Sequence, residues 1–112
     1  MGSTRVLAIG LDVTDAAYAP VDALAADGML IVMESDPARV EELRRRFASA
    51  GSERRAMVIA GDPRRMLHKL SGPFDRIFCG DCDPSIRAKL ETLLAPNGVL
   101  VSVVRGQTPW QQ

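Results

Sequence analysis

The sequence predicts an α/β domain built on a parallel sheet with helices covering its faces. Three observations carry that expectation. Short apolar runs rich in Val, Ile, Leu and Met recur along the chain. Between them lie Ala-rich or amphipathic stretches of helical spacing. Asp, Pro and Gly mark the joins. With 112 residues, the chain is the size of one domain and too short for two. Hydrophobic residues make up 46% and aromatics only 4%, so the core is aliphatic.

The first strand is "RVLAIG" (5–10), stopped by Gly10. Residues 15–26 read as a helix that Pro20 begins or kinks and that Asp27-Gly28 ends. "MLIVMES" (29–35) is the second strand. Asp36 then caps a helix with Pro37 at its first position; Val40, Leu43 and Phe47 share one face, and Gly51 ends it. "RAMVIAGD" (55–62) is the third strand, and "PRRMLHKL" (63–70) a short helix closed by Ser71-Gly72-Pro73. "FDRIFCG" (74–80) is the fourth strand. Asp83-Pro84 repeats the cap-and-proline start for a helix over 84–95. Pro96-Asn97-Gly98 turns the chain into "VLVSVV" (99–104), the fifth strand, and a polar tail follows.

Lys+Arg and Asp+Glu number 14 each, giving no net charge. That balance weighs against broad capture of nucleic acid or an anionic membrane. The clusters Arg44-Arg45-Arg46, Arg54-Arg55 and Arg64-Arg65 read as solvated helix ends and loops. No apolar window is long enough to span a bilayer, and the N-terminus does not look like a signal peptide. The expected location is cytoplasmic.

The order of these features resembles the S-adenosylmethionine-dependent methyltransferases of the Rossmann-like class, in particular the small O-methyltransferases, over residues 5 to 104. The quoted stretches are "VLAIGLDVT" for the first strand and its turn, "IVMESDPARVEELRRRF" for the second strand and helix, and "MVIAGDP" for the third strand. "FDRIFCGD" and "LLAPNGVLV" complete the set. No one of them is specific; their order and spacing carry the likeness. The resemblance implies a single domain over 1–112, a minimal doubly wound sheet of strand order 3-2-1-4-5. The family's usual last two strands are missing. It implies S-adenosylmethionine as cofactor and a small-molecule acceptor methylated at oxygen. In an open parallel sheet, ligands sit at the carboxyl ends of the strands, beside the switch in strand order. By resemblance, the cofactor-binding residues are Gly10, Asp12, Glu34, Ser35, Asp62, Pro63 and Gly80. Glu34 would accept the ribose hydroxyls, and Asp62 would face the adenine. Asp81 is the candidate catalytic base.

The chain departs from the pattern at its first turn. The family has Gly-x-Gly-x-Gly there, letting backbone pass close to the ligand. Here Gly10 is kept, but Asp12 and Thr14 occupy the next two places, and Ala8 replaces an acid. The positions that hold a metal in the magnesium-dependent branch are Gly80 and Val103-Val104, so no metal is expected. These departures keep a second reading open: a catalytically inactive nucleoside-binding or assembly module. A phosphate-accepting receiver domain fits less well, because too little chain follows Asp81. Ending at strand five leaves 99–104 as an apolar sheet edge. A homodimer burying that edge is expected, with Trp110 a candidate contact.

"CGDC" places Cys79 and Cys82 as C-x-x-C in the loop after strand four. A thioredoxin-like redox centre would need a different motif order, and a structural zinc site would need four ligands. The expectation is ordinary loop and core cysteines, with Cys79 the more buried.

Overall fold

A computed structural model of the chain describes residues 5–9, 28–49, 51, 55–80 and 83–102. Its strands are β1 (Arg5–Ile9), β2 (Met29–Glu34), β3 (Ala56–Ala60), β4 (Phe74–Cys79) and β5 (Leu94–Ser102). Its helices are α1 (Pro37–Ser49), α2 (Pro63–Met66), which runs on into a 3₁₀ turn over Leu67–Lys69, and α3 (Pro84–Glu91). The strands form one sheet in the order β3-β2-β1-β4-β5, and every neighbouring pair is parallel. This is the expected doubly wound order. The helix expected over 15–26 lies outside the described residues.

The two faces of the sheet follow from the alternation along each strand. Val6 and Ala8 of β1, Leu30 of β2, Val58 of β3 and Phe78 of β4 point to one side. There they pack with Val40, Leu43 and Phe47 of α1. Those three residues are the helical stripe legible in the sequence. Leu7, Ile9, Ile31, Met33, Ile77 and Cys79 point to the other side, where Leu67 and Leu90 from the 3₁₀ turn and α3 join them. β1 lies at the centre, so Val6 to Ile9 are all at most 3% exposed. A strand buried on both faces reads as a continuous apolar run, which is why "VLAI" gave a strand signal without alternation.

The helix starts obey local chemistry. Asp36 Oδ1 accepts from the Ala38 amide at 2.9 Å, Asp62 Oδ1 from Arg64 at 3.0 Å, and Asp83 Oδ1 from Ile86 at 2.9 Å. Each acid is followed by a proline that has no amide hydrogen to lose at the first helical position. Gly51, at a φ of 71°, takes the left-handed conformation that ends α1.

Two boundaries differ from the expectation. α3 stops at Glu91 rather than 95, because Leu94 already pairs with Phe74 in the sheet. β5 therefore starts earlier, and its register jumps: Phe74 faces Leu94, whereas Arg76 faces Val99. The surplus residues on β5 contain Pro96-Asn97-Gly98 and form an irregularity in the ladder. Gly98 is required there, since a Cβ would lie 2.8 Å from the Phe74 carbonyl oxygen.

Candidate functional site

All strands run in the same direction, so their C-terminal ends line one edge. At that edge β1 has β2 on one side and β4 on the other, the point where the chain's winding reverses. Two backbone hydrogen bonds carry the ladder past the strand ends. The Gly61 amide donates to the Glu34 carbonyl at 3.0 Å, and the Gly80 amide donates to the Ile9 carbonyl at 2.8 Å. The first sets the Gly61-Asp62-Pro63 turn against the end of β2. The second sets Gly80 against the end of β1.

Glu34 closes β2 and is 8% exposed, the only buried charged residue among those described. A buried carboxylate is costly unless it is hydrogen-bonded. Here Oε1 accepts from the Asp36 amide at 3.0 Å. That bond fixes the carboxylate at the edge. Its Oε2 takes no hydrogen bond from the described residues. Ser35, next to it, is exposed. Asp62 is exposed and caps α2, with Pro63 as the first helical residue. The structure thus brings Glu34, Ser35, Asp62, Pro63 and Gly80 to one edge. Gly10, Asp12, Thr14 and Asp81 lie outside the described residues, as does Val103-Val104.

A further group emerges at this edge that the sequence did not indicate. Asp83 accepts from the Ser85 hydroxyl at 2.6 Å as well as from the Ile86 amide. The Ser85 hydroxyl, the Ile86 amide and the nearby Arg64 cation together hold its carboxyl below the usual range. Arg64 Nη2 lies 3.5 Å from Asp83 Oδ2. This ion pair links the start of α2, after β3, to the start of α3, after β4. Both side chains are largely accessible (72% and 39%), so the pair contributes little to stability. In sequence Arg64 reads only as part of a basic cluster; its place directly after a strand-end Asp-Pro was the available signal.

The cysteines also differ from expectation. Cys79 ends β4 at 2% exposure, buried as expected, but it is disulfide-bonded rather than an ordinary core thiol. Cys82 lies outside the described residues.

No protein-family profile matches the chain, and no curated protein does. Solved structures do. The O-methyltransferase TomG from Streptomyces achromogenes, in complex with SAM, is 27% identical with a TM-score of 0.74; the match covers 89% of this chain and 48% of TomG. The SAH-bound methyltransferase PaMTH1 from Podospora anserina is 25% identical with a TM-score of 0.74, covering 88% of this chain and 45% of that one. A precorrin-6y C5,15-methyltransferase from Geobacter metallireducens GS-15, at 20% identity and a TM-score of 0.73, shares the fold over 89% of this chain and 53% of its own. The chain spans about half the length of these structures. It has the Rossmann-like fold of the S-adenosylmethionine-dependent methyltransferases.

Proposed function

We propose that the chain binds S-adenosylmethionine along the C-terminal edge of its sheet and supports methyl transfer to a small acceptor, at oxygen. The observation that carries this reading is Glu34. Its carboxylate is buried at the end of β2, anchored through one oxygen by the Asp36 amide, with the other taking no hydrogen bond from the described residues. A carboxylate held this way fits a pair of ribose hydroxyls, as charge-assisted acceptors are the strong ones. Two structures at 25% and 27% identity that hold SAH and SAM support S-adenosylmethionine as the cofactor.

In this reading Asp62 faces the adenine, Ser35 and Pro63 border the nucleoside, and Gly80 keeps the end of β4 close to β1. When bound, S-adenosylmethionine supplies a methyl group activated by its sulfonium charge. The chain's contribution is mainly alignment of the acceptor for in-line displacement. Asp81 takes the acceptor's hydroxyl proton. Among the described residues, no cluster of His, Cys, Asp or Glu could hold a metal ion. The β5 edge pairs with a second copy, covering Val99, which is 53% exposed. Light scattering tests the dimer, and a monomer would count against it. The setting is cytoplasmic.

A second reading is favoured by one observation in the sequence: Asp12 and Thr14 stand where the resembled turn has glycine. Glycine at such places lets backbone pass close to a ligand, which is what the substitutions bear on. The alternative is an inactive nucleoside-binding or assembly module.

Calorimetric titration with S-adenosylmethionine and with its demethylated product separates these. Micromolar binding, weakened tenfold or more in Glu34→Ala, supports the cofactor site. Absence of binding at millimolar ligand in the wild type would overturn it.

A further inference from the structure

Among the described residues β3 is the last strand on one side of the sheet, so one row of its backbone groups has no strand to pair with. Two ladder bonds show which row that is. The Leu30 amide donates to the Arg55 carbonyl at 2.7 Å, and the Gly61 amide donates to the Glu34 carbonyl at 3.0 Å. Residues 55 and 61 therefore face β2. In a parallel strand the amide and carbonyl of one residue point the same way, and the direction alternates along the chain. The backbone groups of Ala56, Val58 and Ala60 thus point outward, to the open edge.

Val58 is the middle residue of β3, and its outward carbonyl is already engaged: Arg44 Nη2 donates to it at 3.2 Å. Arg44 lies on α1, next to the stripe Val40, Leu43 and Phe47 that packs against the sheet with Val58. From there its long stem carries the guanidinium round to the outer side of the strand. In the same cluster Arg46 pairs with Glu42 on its own helix at 3.1 Å, whereas Arg44 reaches the sheet. We infer that Arg44 closes the β3 edge to a further strand, so that a second copy of this chain cannot add there.

An open edge accepts another chain's strand through main-chain hydrogen bonds. The stretch "AMVIA" of β3 is apolar and uncharged, and Met57 is 50% exposed on it. A strand docked alongside would take that side chain out of water. To do so it must first displace Arg44 from the Val58 carbonyl, giving up a charge-assisted bond, and bring its own apolar side chains against a cation. β3 and β5 are the two ends of the sheet. If β5 of one copy joined β3 of the next, the contact would repeat without closing and grow into a filament. With β3 closed, pairing of β5 with β5 leaves no strand edge for growth. That consequence rests on the β5 pairing proposed above; the closure of β3 does not.

The test compares the full chain with Arg44→Met, which keeps a long apolar stem but has no donor and no charge. Sedimentation of the wild type is expected to give a mass no greater than a dimer's at any concentration. The variant's mass is expected to rise by about twofold or more over the same range. Circular dichroism should be the same for both at the lowest concentration. Amide hydrogen exchange locates the contact: the outward amides of Ala56, Val58 and Ala60 should slow on concentrating the variant and stay unchanged on concentrating the wild type. A variant that does not grow with concentration, or one that grows without slowed exchange at those amides, would overturn the inference. So would slowed exchange there in the concentrated wild type, an outcome that is readable even where the variant fails to fold. A wild type that sediments as a monomer would sink the β5 dimer alone, and the Arg44→Met comparison would still decide the closure of β3.

Discussion

The two ends of the sheet handle charge in opposite ways. At the N-terminal edge, the charged groups of Arg5 and Asp75 find partners in backbone and an aromatic ring. The Arg5 amide donates to the Asp75 carboxylate at 2.7 Å, the Arg5 guanidinium donates to the Pro73 carbonyl at 3.2 Å, and the same cation sits 4.5 Å from the centre of the Phe74 ring. Phe74 itself is fully buried. At the C-terminal edge, Glu34, Asp62 and Asp83 are held by backbone amides or a hydroxyl, and of these three only Asp83 meets a cation, while neighbouring Asp36 lies 3.8 Å from Arg39. The first edge joins β1 to β4 and satisfies its polar groups internally. The second fixes the positions of its carboxylates, Glu34 buried and Asp62 exposed. The Phe-Asp pair "FD" thus serves stability, and the acids that follow β2, β3 and β4 form a prepared surface.

Substitutions can break that contrast. The largest effect is expected from Phe74→Ala, which empties a fully buried ring site and should cost about 3–5 kcal/mol in chemical denaturation. Glu34→Gln keeps the acceptor for the Asp36 amide but loses the charge. It should leave the denaturation midpoint nearly unchanged while weakening cofactor binding tenfold or more, at about 1.5–3 kcal/mol per charge-assisted hydrogen bond weakened. A variant that unfolds without altering ligand affinity would place Glu34 with the structural acids instead. Asp75→Ala should show the reverse profile: a stability loss of about 1 kcal/mol with ligand affinity intact. The smallest effect concerns pH. Asp83 has a folded-state pKa below its ordinary value, so its contribution is fully present above that ordinary value and fades as pH falls through the lowered one. Asp83→Asn should therefore differ from wild type near neutral pH, with the difference shrinking below about pH 4, as measured by urea midpoints across that range.

Most of the fold was legible because its signals are local. The Asp-Pro starts at 36–37 and 83–84 announce helices whatever surrounds them, and the stripe Val40, Leu43 and Phe47 names its own buried face. The extent of β5 was not legible. It depends on Leu94 finding Phe74 across the sheet, a pairing set by register rather than by the residues from 94 to 98. At the site, Glu34 could be placed because a strand end is a local feature. Its anchoring by the Asp36 amide could not, since that depends on the backbone bending after Ser35. The reach of Arg64 to Asp83 likewise joins residues brought together only by the winding of the chain. The oxidised state of Cys79 is a matter of side-chain approach, which the spacing permits without dictating.

The most direct test of the central claim compares the two edges within one sample. Backbone amide shifts of the isotope-labelled chain should be followed by NMR during titration with the demethylated cofactor. Perturbations concentrated at Glu34 to Asp36, Gly61 to Arg64 and Gly80, with the amides of Arg5, Phe74 and Asp75 unmoved, are the predicted result. Perturbations clustered at Arg5, Phe74 and Asp75, or none at any ligand concentration, would contradict the assignment of the C-terminal edge as the ligand site.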